Sequence, residues 1–92
     1  EGQALGFVNE VVDPTELMAA AKRWAAQICE LSPMSIRASK EAVYKGLDEP
    51  TLEEAIKGQA RYPAVAALFK SEDFIEGPMA FAQKRAPNWK GR

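Results

Sequence analysis

Ninety-two residues, a formal net charge of −1 and a single cysteine set narrow limits. They leave room for one domain, no internal disulfide and no attraction of the whole chain to nucleic acid. Apolar residues make up 47% of the chain, yet sixteen of them are alanines, which favour helix and add little burial energy. In chain order, the first predicted element is "LGFVNEVV", Leu5 to Val12, whose β-branched and aromatic residues read as one short strand. A lone strand needs a partner, so residues 1–13 are expected to form the strand-like end of a core encoded upstream, and the first residue, Glu1, agrees with that. Residues 14–92 read as helical. Asp13-Pro14-Thr15-Glu16 is a helix start, and Leu17, Ala21, Trp24, Ile28 and Leu31 follow as an apolar stripe. Ser32-Pro33 opens a second helix, with Ile36, Val43 and Leu47 expected inward and "SIRASKEAVYK" supplying a solvated cationic face. Thr51-x-x-Glu54 is a capping box for a third helix, which Pro63 kinks or splits. Ser71 caps a short turn broken by Gly77-Pro78, and a last helix runs through Arg85 until Pro87.

The chemistry that the chain lacks is as informative. There is no histidine, so the commonest general base and metal ligand is missing, and no metal site is expected. Cys29 has no histidine partner and reads as a small core hydrophobe. The paired acids Glu53/Glu54 and Glu72/Asp73 sit in predicted first turns, where the helix dipole accounts for them, and Ser35 and Ser39 read as surface hydroxyls. No catalytic residue is therefore assigned. No apolar run approaches the roughly 18 residues that span a bilayer, and no signal peptide is visible. No membrane partner is expected, and a reducing compartment, the cytoplasm or one such as the mitochondrial matrix, suits the cysteine usage.

The closing stretch "EGPMAFAQKRAPNWKGR" has no acid after Glu76 but carries Lys84, Arg85, Lys90 and Arg92, interleaved with Phe81 and Trp89. Phe81 and Lys84 stand at i, i+3, hence on one face of the predicted helix. An aromatic ring beside an ammonium suits a ligand with a flat base and a phosphate. The competing reading packs Phe81 inward under a snorkelling Lys84.

"LGFVNEVVD", then "SPMSIRASKEAVYKGLD", then "LFKSEDFIEGPMAFAQKRAPNWKGR" resemble, in this order and spacing, the C-terminal portion of the enoyl-CoA hydratase/isomerase (crotonase) family. The most specific part is S-E-D-x-x-E-G-x-x-A-F-x-x-K-R-x-P, from Ser71 to Pro87. The resemblance implies an all-α chain of about four helices with one short strand-like segment at its start, the C-terminal helical domain of a crotonase-like α/β fold. It implies a parent enzyme, a trimer or hexamer, that hydrates a 2-enoyl-CoA thioester or shifts its double bond through a stabilised enolate. The catalytic carboxylates and the oxyanion hole would lie upstream, leaving the fragment inactive and with no cofactor of its own. It further implies that Phe81 and Lys84 reach coenzyme A held mainly by a neighbouring subunit. The family usually runs an uninterrupted helix where Pro63 stands, so a bent or rebuilt third helix is expected here. Naphthoate synthases of the family tend to carry tyrosine at the place of Phe69, which argues against that subgroup. Two other functions fit the alanine-rich helices: an oligomerisation module, and a small acyl-CoA-binding domain that does no chemistry.

Overall fold

The computed structural model describes residues 1–92 and holds five α-helices and no strand. They are α1 (Leu17–Cys29), α2 (Pro33–Gly46), α3 (Leu52–Gly58), α4 (Pro63–Phe69) and α5 (Glu72–Ala82), with short 3-10 turns at Pro14–Glu16 and Gln59–Arg61.

Local chemistry sets most of the boundaries. The Ser32 hydroxyl accepts the Ser35 N–H at 3.4 Å, Thr51 accepts that of Glu54 at 3.1 Å, and Ser71 accepts that of Phe74 at 3.1 Å. Each is an N-cap satisfying one of the donors that a helix start leaves open. Thr51 also donates its hydroxyl to Glu54 at 3.1 Å, so the box closes side chain to side chain. Asp13 makes no side-chain cap; its carbonyl accepts the Glu16 N–H at 2.8 Å in a 3-10 turn, and α1 starts after it. Pro63 splits the predicted third helix into α3 and α4, and it stands at the first position of α4, where its missing N–H is harmless. Tyr62, the residue before α4, offers no side-chain cap; Glu41 of α2 supplies the acceptor for the Ala64 N–H instead. The same two helices form the main packed pair, and each contributes a buried residue, Ala38 from α2 and Val65 from α4. Phe69 and Phe74 then turn the chain into α5 with an edge-to-face contact, ring centroids 5.3 Å apart.

Three expectations are corrected here. Leu5–Val12 is not a strand: residues 1–7 form turns closed by Leu5 N–H to Glu1 carbonyl (3.1 Å) and Phe7 N–H to Gly2 carbonyl (3.3 Å), with Gly6 at φ +88°. An isolated extended run has no ladder partner in this chain, and the local turn satisfies its backbone instead. Gly77-Pro78 does not break the last helix; α5 runs through Pro78, giving up only the ladder bond that proline cannot donate. Val43 and Leu47 of α2 are not inward but exposed, and Cys29 is exposed rather than in a core; Leu17 and Ile28 of the α1 stripe are exposed as well. Only seven residues are buried. The accessible surface is 7418 Å² for 10.1 kDa, against roughly 5,300 Å² for a compact monomer of that mass. The radius of gyration, 16.7 Å, likewise exceeds the roughly 12 Å of a compact 92-residue domain. The chain is a flat layer of helices, 43 × 40 × 19 Å, whose apolar faces are not covered by one another.

Candidate functional site

The residues after α5 fold back along that helix, and buried or half-buried carboxylates hold them there. Asp73, in the first turn of α5 and almost fully buried, accepts from the Ser32 hydroxyl (2.9 Å), the Lys90 N–H (2.7 Å) and the Gly91 N–H (3.0 Å). Burial pushes its carboxyl up, but the Lys90 N–H, the Ser32 hydroxyl and the Gly91 N–H outweigh it, and the net shift is downward. The Arg92 carbonyl in turn accepts the Glu72 N–H at 2.8 Å. Glu76 takes both ends of the Arg85 guanidinium, at 2.6 and 2.9 Å, and the Asn88 N–H at 2.8 Å. Arg85, followed by that N–H, draws the Glu76 carboxyl from an ordinary 4.5 down to about 2. Trp89 donates its indole N–H to the Glu30 carbonyl at 2.9 Å and lays its ring over Gly77, where a Cβ would come within 3.3 Å of the ring. The Glu-Gly pair at 76–77 is thus explained by one salt bridge and one close approach.

This accounts for most of the charge in the tail. Arg85 is paired with Glu76, and Lys90 and Arg92 both with Glu72, at 2.7 and 3.3 Å. A groove of about 460 Å³ lies between α5 and the tail, but its charged lining residues are engaged in these same pairs or, for Asp73, by the Ser32 hydroxyl and the Lys90 and Gly91 N–H groups. Two members of the motif are left over. Phe81 is 88% exposed, and Lys84 is exposed with neither an ion pair nor a side-chain hydrogen bond. The inward-packed reading of Phe81 is therefore excluded within this chain.

The backbone between these two residues differs from the expectation. The last helix does not run through Arg85; it ends at Ala82 with Gln83 as C-cap, so Lys84 lies just past the helix rather than on its face. The Lys84 N–H bonds to the Phe81 carbonyl at 3.1 Å and the Arg85 N–H to the Ala80 carbonyl at 3.0 Å. This is a Schellman closure, with its left-handed position occupied by Lys84 at φ +53°. Lys84 is the only non-glycine residue with positive φ. Glycine is the usual occupant, and a side chain there costs about 1–2 kcal/mol.

The other acids singled out in the sequence have structural partners: Glu53 pairs with Lys57 one turn on, and Glu54 accepts the Thr51 hydroxyl. Glu10, which the sequence did not mark, holds Arg23 (2.6 Å) and the Trp24 indole (2.7 Å), pinning the first segment to α1. No group of three histidine, cysteine or acidic side chains is placed to hold a metal ion. The role of Asp73 had no signal in the sequence, since an acid in a first turn looks the same whether it faces water or collects a distant tail. Trp89 did carry a signal, a large aromatic in a polar stretch, but nothing that named Glu30 or Gly77 as its partners.

With this arrangement in view, the relationships of the chain are consistent. The enoyl-CoA hydratase/isomerase sequence profile matches residues 1–92, and the chain belongs to that family. It is 43% identical over 91 residues to carnitinyl-CoA dehydratase of Proteus mirabilis strain HI4320, and 46% identical over 92 residues to carnitinyl-CoA dehydratase of Escherichia coli strain K12. Each match takes in 95% of this chain and 34% of the relative. Among solved structures, an enoyl-CoA hydratase/isomerase from Mycobacterium paratuberculosis superposes with a TM-score of 0.90 at 33% identity, over 99% of this chain and 35% of that one. An enoyl-CoA hydratase from Geobacillus kaustophilus HTA426 superposes at 0.83 and 40% identity. The helical layer is therefore a crotonase-fold segment. It spans about a third of the length of its relatives.

Proposed function

We propose that the full-length protein acts on acyl-CoA thioesters and that this segment helps hold the coenzyme A moiety through Phe81 and Lys84. One observation supports this: among the charged and aromatic residues of the tail motif, these two alone have no partner within the fold. The ring offers a stacking face for adenine and the ammonium a partner for phosphate. Glu53, Glu72, Asp73 and Glu76 are all engaged in structural contacts, so the proton transfer belongs to the remaining two thirds of the protein. There, a carboxylate would remove the proton α to the thioester while backbone N–H groups stabilise the enolate, and a β-hydroxyl would leave as water. Relatives named as dehydratases favour reversible dehydration of a 3-hydroxyacyl-CoA over a double-bond shift, and carnitinyl-CoA is the first substrate to test. The exposed apolar faces of α1, α2 and α3 fit a segment that rests on its own core and on neighbouring copies in a homo-oligomer. A reducing compartment suits its lone, exposed Cys29.

The test is an assay of the full-length enzyme and of the 92-residue chain side by side. The full-length enzyme is expected to interconvert a 3-hydroxyacyl-CoA and its 2-enoyl-CoA, and the chain alone to give no turnover. An inactive full-length enzyme on every acyl-CoA offered, or turnover by the isolated chain, contradicts the reading.

A further inference from the structure

Lys84 occupies a backbone conformation that disfavours it, and the structure around it leaves no other choice. The Schellman bonds from Lys84 and Arg85 fix the turn from one side. From the other, the Arg85 side chain is clamped by Glu76, which also accepts the Asn88 N–H, so the chain on both sides of Lys84 is anchored to the body of α5. Strained residues persist only where the surroundings over-determine them, and such strain marks a site where orientation matters. Glycine, or asparagine, would close the same turn with less strain but would bring no charge. Keeping a lysine here, next to a free ring and with no partner, is what a cation aimed at an incoming ligand requires.

We infer that the Glu76–Arg85 pair is a positioning device: it holds Lys84 in the left-handed conformation, so that its ammonium meets the phosphate-bearing end of the coenzyme without searching. This rests on the reading of Phe81 and Lys84 as coenzyme contacts. Neither Glu76 nor Arg85 touches the coenzyme. Their effect reaches it only through Lys84, by restricting the conformations that Lys84 samples before binding.

The experiment uses the full-length enzyme and two substrates that share an acyl group, a CoA thioester and a pantetheine thioester lacking adenine and phosphates. Glu76→Gln keeps the size of the side chain and removes its charge. It is expected to raise KM for the CoA thioester by roughly three- to tenfold, to leave the pantetheine thioester unaffected, and to add nothing when combined with Lys84→Ala. Arg85→Lys keeps the charge but loses the two-pronged grip, and is expected to give the same pattern more weakly, which preserves the test if Glu76→Gln does not fold. If Lys84→Ala lowers affinity for the CoA thioester while Glu76→Gln and Arg85→Lys do not, the positioning role is wrong and the coenzyme contact stands. If Lys84→Ala itself has no effect, the coenzyme contact is wrong. Equal losses on both substrates in Glu76→Gln mean a general structural role and overturn the inference.

Discussion

Arg85 reaches back nine residues to lay its guanidinium across both oxygens of Glu76, at 2.6 and 2.9 Å, and this pair turns the chain at the end of α5. It also makes the turn sensitive to acid. The Glu76 carboxyl sits at about 2 in the fold and at an ordinary 4.5 when the chain is unfolded, because Arg85 and the Asn88 N–H favour its charged form. A depressed carboxyl adds stability above its unfolded value and loses it as pH falls toward its folded value. The melting temperature of the wild type is therefore expected to exceed that of Glu76→Gln by a constant margin above about pH 5, and the margin to shrink between about 4.5 and about 2. Thermal melts of both proteins across that range check this.

Lys84→Gly separates strain from function. Relief of the left-handed backbone outweighs the extra freedom of glycine in the unfolded chain, so the variant is expected to be more stable by roughly 0.5–1 kcal/mol. It is also expected to bind coenzyme A several-fold more weakly, since the ammonium is gone. Denaturant unfolding and calorimetric titration of one preparation report both quantities.

Phe81 is exposed, so Phe81→Ala is expected to shift stability by no more than about 0.5 kcal/mol. A lost stacking partner, in contrast, lowers affinity for a CoA thioester by roughly tenfold. KM and melting temperature, measured together, distinguish a binding residue from a packing one.

Asp73 and Gly77 hold the tail. Asp73→Ala leaves the Ser32 hydroxyl and the Lys90 and Gly91 N–H groups without their acceptor, and Gly77→Val drives a side chain into the Trp89 ring. Both are expected to free residues 86–92 from α5. Trypsin then cleaves after Lys90 and Arg85 faster than in the wild type, whereas Phe81→Ala leaves the cleavage rate unchanged.

The parts of this fold that can be read from the sequence are those decided within four residues. Ser32, Thr51 and Ser71 each cap a helix, and Pro63 divides one, because the physics is local. Pro78 is instructive in the other direction. Its rule says break, but α5 is pinned at its start by Ser71 and the Arg92 carbonyl and closed at its end by the Schellman bonds, so one missing ladder bond is tolerated. The strap from Ala86 to Arg92 was illegible because its backbone N–H groups bond to carboxylates some twelve to eighteen residues earlier, at Glu76 and Asp73. No periodicity encodes such a contact. The stripes of α1 and α2 are legible as apolar, but the exposure of Val43 and Leu47, expected inward, is not, since a pattern shows that a face is to be covered and not by what. The residues of the tail motif, Phe81 and Lys84 among them, stand in the sequence, but the left-handed turn at Lys84 does not, since lysine gives no sign of it.

The most direct test is the KM of the full-length enzyme carrying both Phe81→Ala and Lys84→Ala, measured with a CoA thioester and with the matching pantetheine thioester. A rise of roughly tenfold or more is expected for the first and no change for the second, with kcat and melting temperature unchanged. An unchanged KM for the CoA thioester, or the same rise for both substrates, contradicts the coenzyme contact.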